Sequence, residues 1–204
     1  MSAAPRYSDG EAAARDAAAA ELTAGNAPAA AARAAIAAAD AFLTKIVTVV
    51  GLQPQLDAIQ CGAGCYSCCH QMVGVTVAEL ALIKAAIAAL PEPERTAVLT
   101  RGADTARRAQ GLSQGQWWAA KLRCPLLDDG GRCQVHAARP LPCRAMNSAN
   151  AETCRRSFEG ERLQIPTLAA QHRIYGHAQA GLAQALAAHG LSGQPVALGA
   201  ELVD

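Results

Sequence analysis

The chain has 204 residues, of which 51% are hydrophobic but only 3% aromatic, so alanine supplies much of the apolar content. This length suffices for one sizeable domain or two small ones, and alanine strongly favours helix, so we expect a mainly α protein with a modest core. The formal net charge of +1 provides no strong field for nucleic acid or for an anionic membrane, and we expect neither as a partner.

The N-terminal part of the chain is an alanine tract that predicts two helices. The tract covers residues 11–41 and is interrupted at Gly25–Pro28, where Gly-Asn-Ala-Pro is a turn signal. Its charged beginning has no uninterrupted apolar stretch behind a basic start, which argues against a signal peptide. We therefore expect a cytoplasmic protein, a compartment in which thiols stay reduced.

The longest apolar stretch, Met72–Leu90, predicts a buried amphipathic helix and not a membrane span. Two charged residues, Glu79 and Lys84, interrupt it, and its large apolar residues recur with helical spacing. Thr76 and Glu79 have the spacing of a capping box. The helix should therefore begin after Thr76 and run to about Leu90.

The rest of the chain predicts shorter elements between cysteines and one long final helix. We expect a helix at about 94–110, a short helix beginning at Trp117, a turn at Asp128–Gly131, an extended segment at Arg139–Pro142 and a last helix at about 166–189. We divide the chain into an alanine-rich helical segment (1–52), a cysteine-cluster domain (53–160) and a C-terminal helix with its tail (161–204) packed on that domain.

The first cysteine group consists of Cys61, Cys65, Cys68 and Cys69. Cys65 and Cys68 have the knuckle spacing that brings two thiolates to one tetrahedral metal ion. Neighbouring side chains in extended backbone point in opposite directions, so we infer that Cys68 or Cys69 turns toward a second metal ion or toward the other cysteines.

The second group follows after 54 residues and consists of Cys124, Cys133, Cys143 and Cys154. Turns between these cysteines could fold them into one neighbourhood. Together the groups supply eight thiolates, enough for two four-cysteine sites or one polynuclear cluster with shared ligands. Four disulfides are the alternative reading of an even cysteine count, but the missing export signal disfavours them.

Several arginines lie close in sequence to the second group and could donate to thiolate sulfur. Arg139 and Arg144 are the better candidates because they flank the proline-containing turn before and after Cys143. His70 and His136 also lie near cysteines, but such histidines are more often neighbouring or surface groups than ligands.

The two cysteine groups together resemble a known family. The stretches CGAGCYSCC at 61–69, CPLLDDGGRCQVHAARPLPCR at 124–144 and TCRR at 153–156 are similar to the YkgJ-like cysteine-cluster family, a CxxCxxCC-type zinc- or iron-chelating domain. The first gap has three residues where the family more often has two, and His136 stands where the family usually has tyrosine. The resemblance implies that all eight cysteines chelate metal, and it leaves the metal and any activity open.

These observations lead to a first hypothesis and two alternatives. In the first, two cysteine-rich loops converge on a metal centre, of zinc, iron or an iron–sulfur cluster, and metal binding stabilises a small helical frame. In the second, the centre belongs to an iron–sulfur enzyme for redox or methyl and other group transfer, since flagellin lysine methylases carry a similar cysteine pattern. In the third, the chain is a partner-binding module with a purely structural zinc site.

Overall fold

The structure is a computed structural model that describes residues 5–203; the ends of the predicted first and last segments, residues 1–4 and 204, lie outside the described residues. Within this range the chain is mainly α-helical, as predicted. Its described helices are α1 (Tyr7–Thr23), α2 (Pro28–Val50), α3 (Gln53–Asp57), α4 (Val77–Ala88), α5 (Glu94–Ala109), α6 (Gln114–Ala119), α7 (Leu141–Ala145), α8 (Ala151–Glu159) and α9 (Ala169–Ala188). Two 3₁₀ turns, Ser67–His70 and His136–Ala138, and two short strands, β1 (Gly74–Val75) and β2 (Val196–Ala197), complete the described elements.

Helices α1, α2 and α9 form a closely packed frame of small side chains. The alanine tract folds into α1 and α2, as predicted, and most of its buried residues are alanines. At Gly181 of α9, an added Cβ would lie only 2.2 Å from the carbonyl oxygen of Glu11 in α1. The backbones of these two helices therefore approach closely because the residues between them are small.

A second apolar cluster links the frame to the cysteine-rich part of the chain. Helix α4 contributes Leu82 to the cluster formed with α1, α2 and α9, and Ile83 and Ile87 to the second cluster. The second cluster also contains Leu126 and Val135, which flank the loop between Cys124 and Cys133. Strands β1 and β2 pair antiparallel beside it, with Val75 opposite Val196.

The predicted capping box at the start of α4 is present and does more than cap the helix. The Thr76 hydroxyl accepts from the Glu79 amide at 3.3 Å, and Glu79 Oε2 accepts from the Thr76 amide at 2.8 Å. The Glu79 side chain, which is 0% exposed, also accepts from the Leu141 amide at 2.8 Å and from Gln179 Nε2 at 3.0 Å. One buried carboxylate thus joins the starts of α4 and α7 to α9.

One local prediction was wrong. We expected an extended segment over Arg139–Pro142, but only Arg139 and Pro140 are extended, and α7 begins at Leu141. Pro142 lies in the first turn of this helix, where the amide that proline lacks would have no intrahelical partner.

Other boundaries differ by one turn or less. Helix α4 ends at Ala88 and α9 begins at Ala169, and Trp117 lies inside α6 instead of starting it. No described helix combines the length and the apolar character needed to cross a bilayer.

Candidate metal centre

The two cysteine groups meet through direct backbone contacts. The amide of Cys124 donates to the carbonyl oxygen of Cys69 at 2.8 Å, although 54 residues separate them in the chain. Beside this bond, Gly131 has a φ of 74°, and a Cβ there would lie 3.4 Å from the carbonyl oxygen of Gly64. Glycine at 131 satisfies both the left-handed backbone and the close approach of the first loop.

The other side of the first loop is attached to the segment that leads into α8. The Gln60 amide donates to the Ser148 carbonyl at 2.9 Å, and the Gln60 side chain accepts from the Ala151 amide at 3.0 Å. The Cys61 Sγ lies 3.9 Å from the same Ser148 carbonyl. Helix α8 also packs on the 3₁₀ turn Ser67–His70. These contacts bring Cys154, which α8 carries, next to the first loop.

We name Cys61, Cys65 and Cys154 the outer triad. Burial is the largest cause of the raised pKa of Cys61 and of Cys65, and the charge of Cys154 adds to both shifts. Cys61 is exposed, whereas the other two residues are half-buried. By sequence Cys154 belongs to the second cysteine group, but the structure places it with the first.

We name Cys124, Cys133 and Cys143 the inner triad. Burial raises the pKa of the Cys124 thiol to about 12 and the pKa of Cys143 well above its ordinary value, and the neighbouring thiolates add to both shifts. Burial is also the largest cause of the raised pKa of Cys133. All three residues keep some accessible surface, yet their sulfur atoms lie among protein atoms that replace water.

Cys68 and Cys69, which we name the central pair, lie between the two triads. The neighbouring Cys69 thiol, followed by burial, is the largest cause of the raised pKa of Cys68. The charge of Cys68 raises the pKa of Cys61 and Cys65 in the outer triad and of Cys124 and Cys143 in the inner one. Cys68 is therefore within electrostatic reach of both triads.

All eight cysteines are free thiols, and the structure joins none of them in a disulfide. Among residues 5–203, no three Cys, His, Asp or Glu side chains already stand in an arrangement that would hold one ion. The described thiols have gathered without standing in coordination geometry.

Arg139 supplies positive charge to this cluster. Burial raises the pKa of Cys133 and Cys143, and the Arg139 cation opposes that effect on both. Its Nε atom is buried without a hydrogen-bond partner. A buried guanidinium N–H beside thiols is a donor suited to thiolate sulfur, so the donor set and its surroundings fit a metal–thiolate centre.

Arg144, the other predicted donor, is directed elsewhere. Its guanidinium donates to the carbonyls of Arg139 and Ala137 at 2.9 Å each and lies 3.3 Å from Asp40 Oδ2. Asp40 also accepts from the Tyr175 hydroxyl at 2.6 Å. The structure therefore places Arg144 with oxygen atoms of α2 and the preceding turn instead of with sulfur.

Arg155 and Arg156, which follow Cys154, are likewise committed to carboxylates. Arg155 pairs with Glu152 and Glu159, and Arg156 pairs with Glu161, each at 2.5 Å. The outer triad thus gains little from the two arginines beside it in sequence.

Arg101 of α5 is a contributor that the sequence did not indicate. Its guanidinium donates to the Pro125 carbonyl at 2.9 Å and to Gln134 Oε1 at 2.5 Å, and it therefore holds both sides of the hairpin that carries Cys124 and Cys133. Leu127 and Cys133 pair across this hairpin. No local pattern connects Arg101 to cysteines 23 or more residues away.

Phe158 of α8 forms the centre of an aromatic cluster beside the central pair. Its ring lies 4.5 Å from the His70 ring, 5.7 Å from Trp118 and 6.1 Å from Tyr66, and Lys121 Nζ lies 4.7 Å above it. His70 is buried against this ring, with Nδ1 at 3.2 Å from the Tyr66 carbonyl. His70 is therefore a packing neighbour of the cysteines in this structure.

His136, the other histidine considered as a ligand, is an exposed residue. The partial burial of its ring, followed by the nearby cations Arg139 and Arg144, lowers its pKa.

A helical frame with eight free thiols gathered from two loops defines a cysteine-rich, metal-chelating class of protein. The family model of CxxCxxCC, described as "Putative zinc- or iron-chelating domain", matches residues 60–162, just over half of the chain. The chain belongs to this family, as the sequence resemblance indicated. Neither the curated proteins nor the solved structures yield a match to this chain.

Proposed function

We propose that this chain binds two metal ions, each held by four thiolates. The outer triad and one member of the central pair form one site, and the inner triad and the other member form the second. The observation that carries this proposal is the position of the central pair: the Cys69 carbonyl accepts from the Cys124 amide at 2.8 Å, and the charge of Cys68 raises the pKa of thiols in both triads. Two adjacent cysteines between two groups of three divide naturally into two sets of four, the number that structural zinc sites use.

The chain's own contribution is to collect thiols whose protons a metal ion displaces. Thiolate sulfur is a ligand for both zinc and iron, and a bound ion would supply the attraction that keeps buried thiolates deprotonated. Arg139 offsets part of the negative charge that four thiolates leave on a divalent ion. Because the ligands come from separate segments, binding also stabilises the fold that brings them together.

A single polynuclear iron–sulfur cluster is the second candidate. It is favoured by the influence of Cys68 on thiols of both triads, which a shared ligand would explain. A redox or group-transfer enzyme would follow from this candidate, whereas two closed zinc sites would favour a structural or partner-binding role. Either centre requires reduced thiols, and we propose a cytoplasmic location for that reason.

Metal and acid-labile sulfide measured on anaerobically purified full-length protein test this proposal. We expect two ions per chain and no sulfide, and one ion fewer in Cys124→Ser, which removes an inner ligand. Ser67→Ala, a change beside the central pair that removes no thiol, should retain both ions. Stoichiometric sulfide with iron would instead identify the polynuclear cluster. A metal-free protein that does not bind added zinc or iron would refute both candidate centres.

The predicted division into segments is also part of this proposal. We propose that residues 1–52 form an alanine-rich helical segment, that residues 53–160 form the metal-binding domain, and that residues 161–204 form a C-terminal helix and tail packed on that domain.

A further inference from the structure

The outer and inner triads differ in how firmly the protein holds them. The inner triad lies on elements anchored in the core: Arg101 holds both sides of the Cys124–Cys133 hairpin, and α7, which carries Cys143, is tied by its Leu141 amide to buried Glu79. Leu141 itself is 0% exposed. Ligands on such elements cannot move without disturbing the core.

The outer triad lies on segments with few anchors. Residues 61–64 are all exposed, and none of the nine residues of α8 is fully buried. Helix α8 is held chiefly by the Phe158 cluster and by the bond from Ala151 to Gln60. Segments with few buried contacts open locally at low cost, so Cys154 and Cys61 can separate while the frame stays folded.

The charges around the two triads also favour firmer metal binding at the inner triad. Buried Arg139 beside Cys133 and Cys143 has an Nε atom without a hydrogen-bond partner, whereas Arg155 and Arg156 beside Cys154 are paired with glutamates. The three thiolates of the outer triad therefore keep more uncompensated negative charge than those of the inner triad. Both differences favour weaker binding and faster release of a metal ion at the outer triad.

We propose that the outer triad forms an exchangeable site that passes a thiophilic metal ion, zinc or iron(II), to incoming thiolates, while the inner triad retains its ion. This inference rests on the proposed function. In the exchange step an incoming thiol loses its proton and bonds to the ion, the bond from the ion to exposed Cys61 breaks, and the Cys61 thiolate takes up a proton. Repetition of this step at the remaining outer ligands releases the ion, and no electron is transferred.

Zinc release from the loaded full-length protein under anaerobic conditions tests the proposal, with a colorimetric zinc chelator as the reporter and glutathione as the incoming thiol. We expect one ion to leave faster than the other by about tenfold or more, the ratio that corresponds to 1.4 kcal/mol, and glutathione to accelerate only the fast phase. Cys61→Ser should remove the fast phase and leave the slow one, whereas Ser67→Ala should keep both. Two bound ions that leave at one rate, or a fast phase that persists in Cys61→Ser, would overturn the inference.

Alkylation of the wild-type protein gives a second test that needs no variant to fold. With one equivalent of zinc bound, we expect mass spectrometry to find the outer triad alkylated and the inner triad protected. Uniform alkylation of both triads would contradict the inference. Failure to bind two ions at all would instead refute the proposed function, so the two failures are distinguishable.

Discussion

Replacing Glu79 with glutamine should weaken both the helical frame and the inner metal site. The carboxylate of Glu79 accepts from the Thr76 amide, the Thr76 hydroxyl, the Leu141 amide and Gln179 Nε2, all at 2.8–3.0 Å. Glutamine is nearly the same size, but one of its two terminal atoms is an NH₂ group that cannot accept. The change therefore tests hydrogen bonding and charge without creating a cavity.

The loss of unfolding free energy in Glu79→Gln depends on which carboxylate oxygen the NH₂ group replaces. Oε2 accepts from three donors and Oε1 only from the Leu141 amide, so the least costly orientation of the glutamine side chain in Glu79→Gln would turn its NH₂ group toward Leu141. A buried amide left without an acceptor costs about 1–3 kcal/mol, and loss of the negative charge at the start of α4 adds about 0.5–1 kcal/mol. We expect a total loss of about 1.5–4 kcal/mol, a large part of the roughly 5–15 kcal/mol that stabilises an ordinary domain.

Urea unfolding of the zinc-loaded protein measures this loss, and competition with a chelator measures affinity at the slow-releasing site. Glu92→Gln is the matched control: Glu92 is exposed and accepts from neighbours in its own turn, Arg95 and Thr96, so this change should leave the unfolding free energy close to the wild-type value. Equal unfolding free energies for Glu79→Gln and wild type would refute the reasoning. Zinc affinity that stays at the wild-type level in a destabilised Glu79→Gln protein would show that α7 does not depend on this carboxylate.

Three further predictions concern the frame and its metal. Gly181→Ala should lower the unfolding free energy by about 1–3 kcal/mol, because the added Cβ would lie 2.2 Å from the backbone of α1. Gly176→Ala in the same helix meets no atom within 4 Å and should raise the unfolding free energy by about 0.5–1 kcal/mol. Urea unfolding that ranks the two variants in the opposite order would contradict the close approach of α1 and α9. The hydrogen bond from His177, followed by that from Gln184, lowers the pKa of Glu11, so the folded chain gives up this proton more readily than the unfolded chain. This stabilisation is present above the ordinary pKa of 4.5 and disappears as the pH falls through the folded-state pKa, and an acid titration should show a shallower loss of stability in Glu11→Gln than in wild type. Removal of all metal by a chelator under reducing conditions should lower the Tm and expose residues 61–69 to proteolysis, and an unchanged Tm would contradict a stabilising role of the metal.

Local sequence signals predicted the helices well. Alanine content and the Gly25–Pro28 break predicted α1 and α2, and the Thr76–Glu79 spacing predicted the start of α4, because helix propensity and capping depend on residues close in the chain. The prediction of an extended segment at 139–142 failed because Pro142 indicates a helix break unless it is known to lie in the first turn of a helix. That position depends on Leu141 meeting Glu79, 62 residues earlier.

The candidate site was predictable as a set of residues but not as an arrangement. The cysteine spacings identified eight candidate ligands, yet chain order does not reveal that Cys154 lies beside the first loop, because its placement depends on how α8 packs on that loop. The roles of Arg139 and Arg144 could not be distinguished from sequence either. Arg144 is paired with Asp40, a residue of α2 that lies about a hundred positions away in the chain.

The hydrogen bond between Cys69 and Cys124 means that the 54 residues between them leave and return at the same place. This segment can gain or lose residues in its exposed loops, such as the loop around Gly111, without displacing Cys69 or Cys124. The intervals inside each motif have less freedom, and the first gap here differs from the family's usual gap by a single residue. Proteins that share this arrangement should therefore differ much more in the length of chain that separates the two motifs than in the intervals inside them.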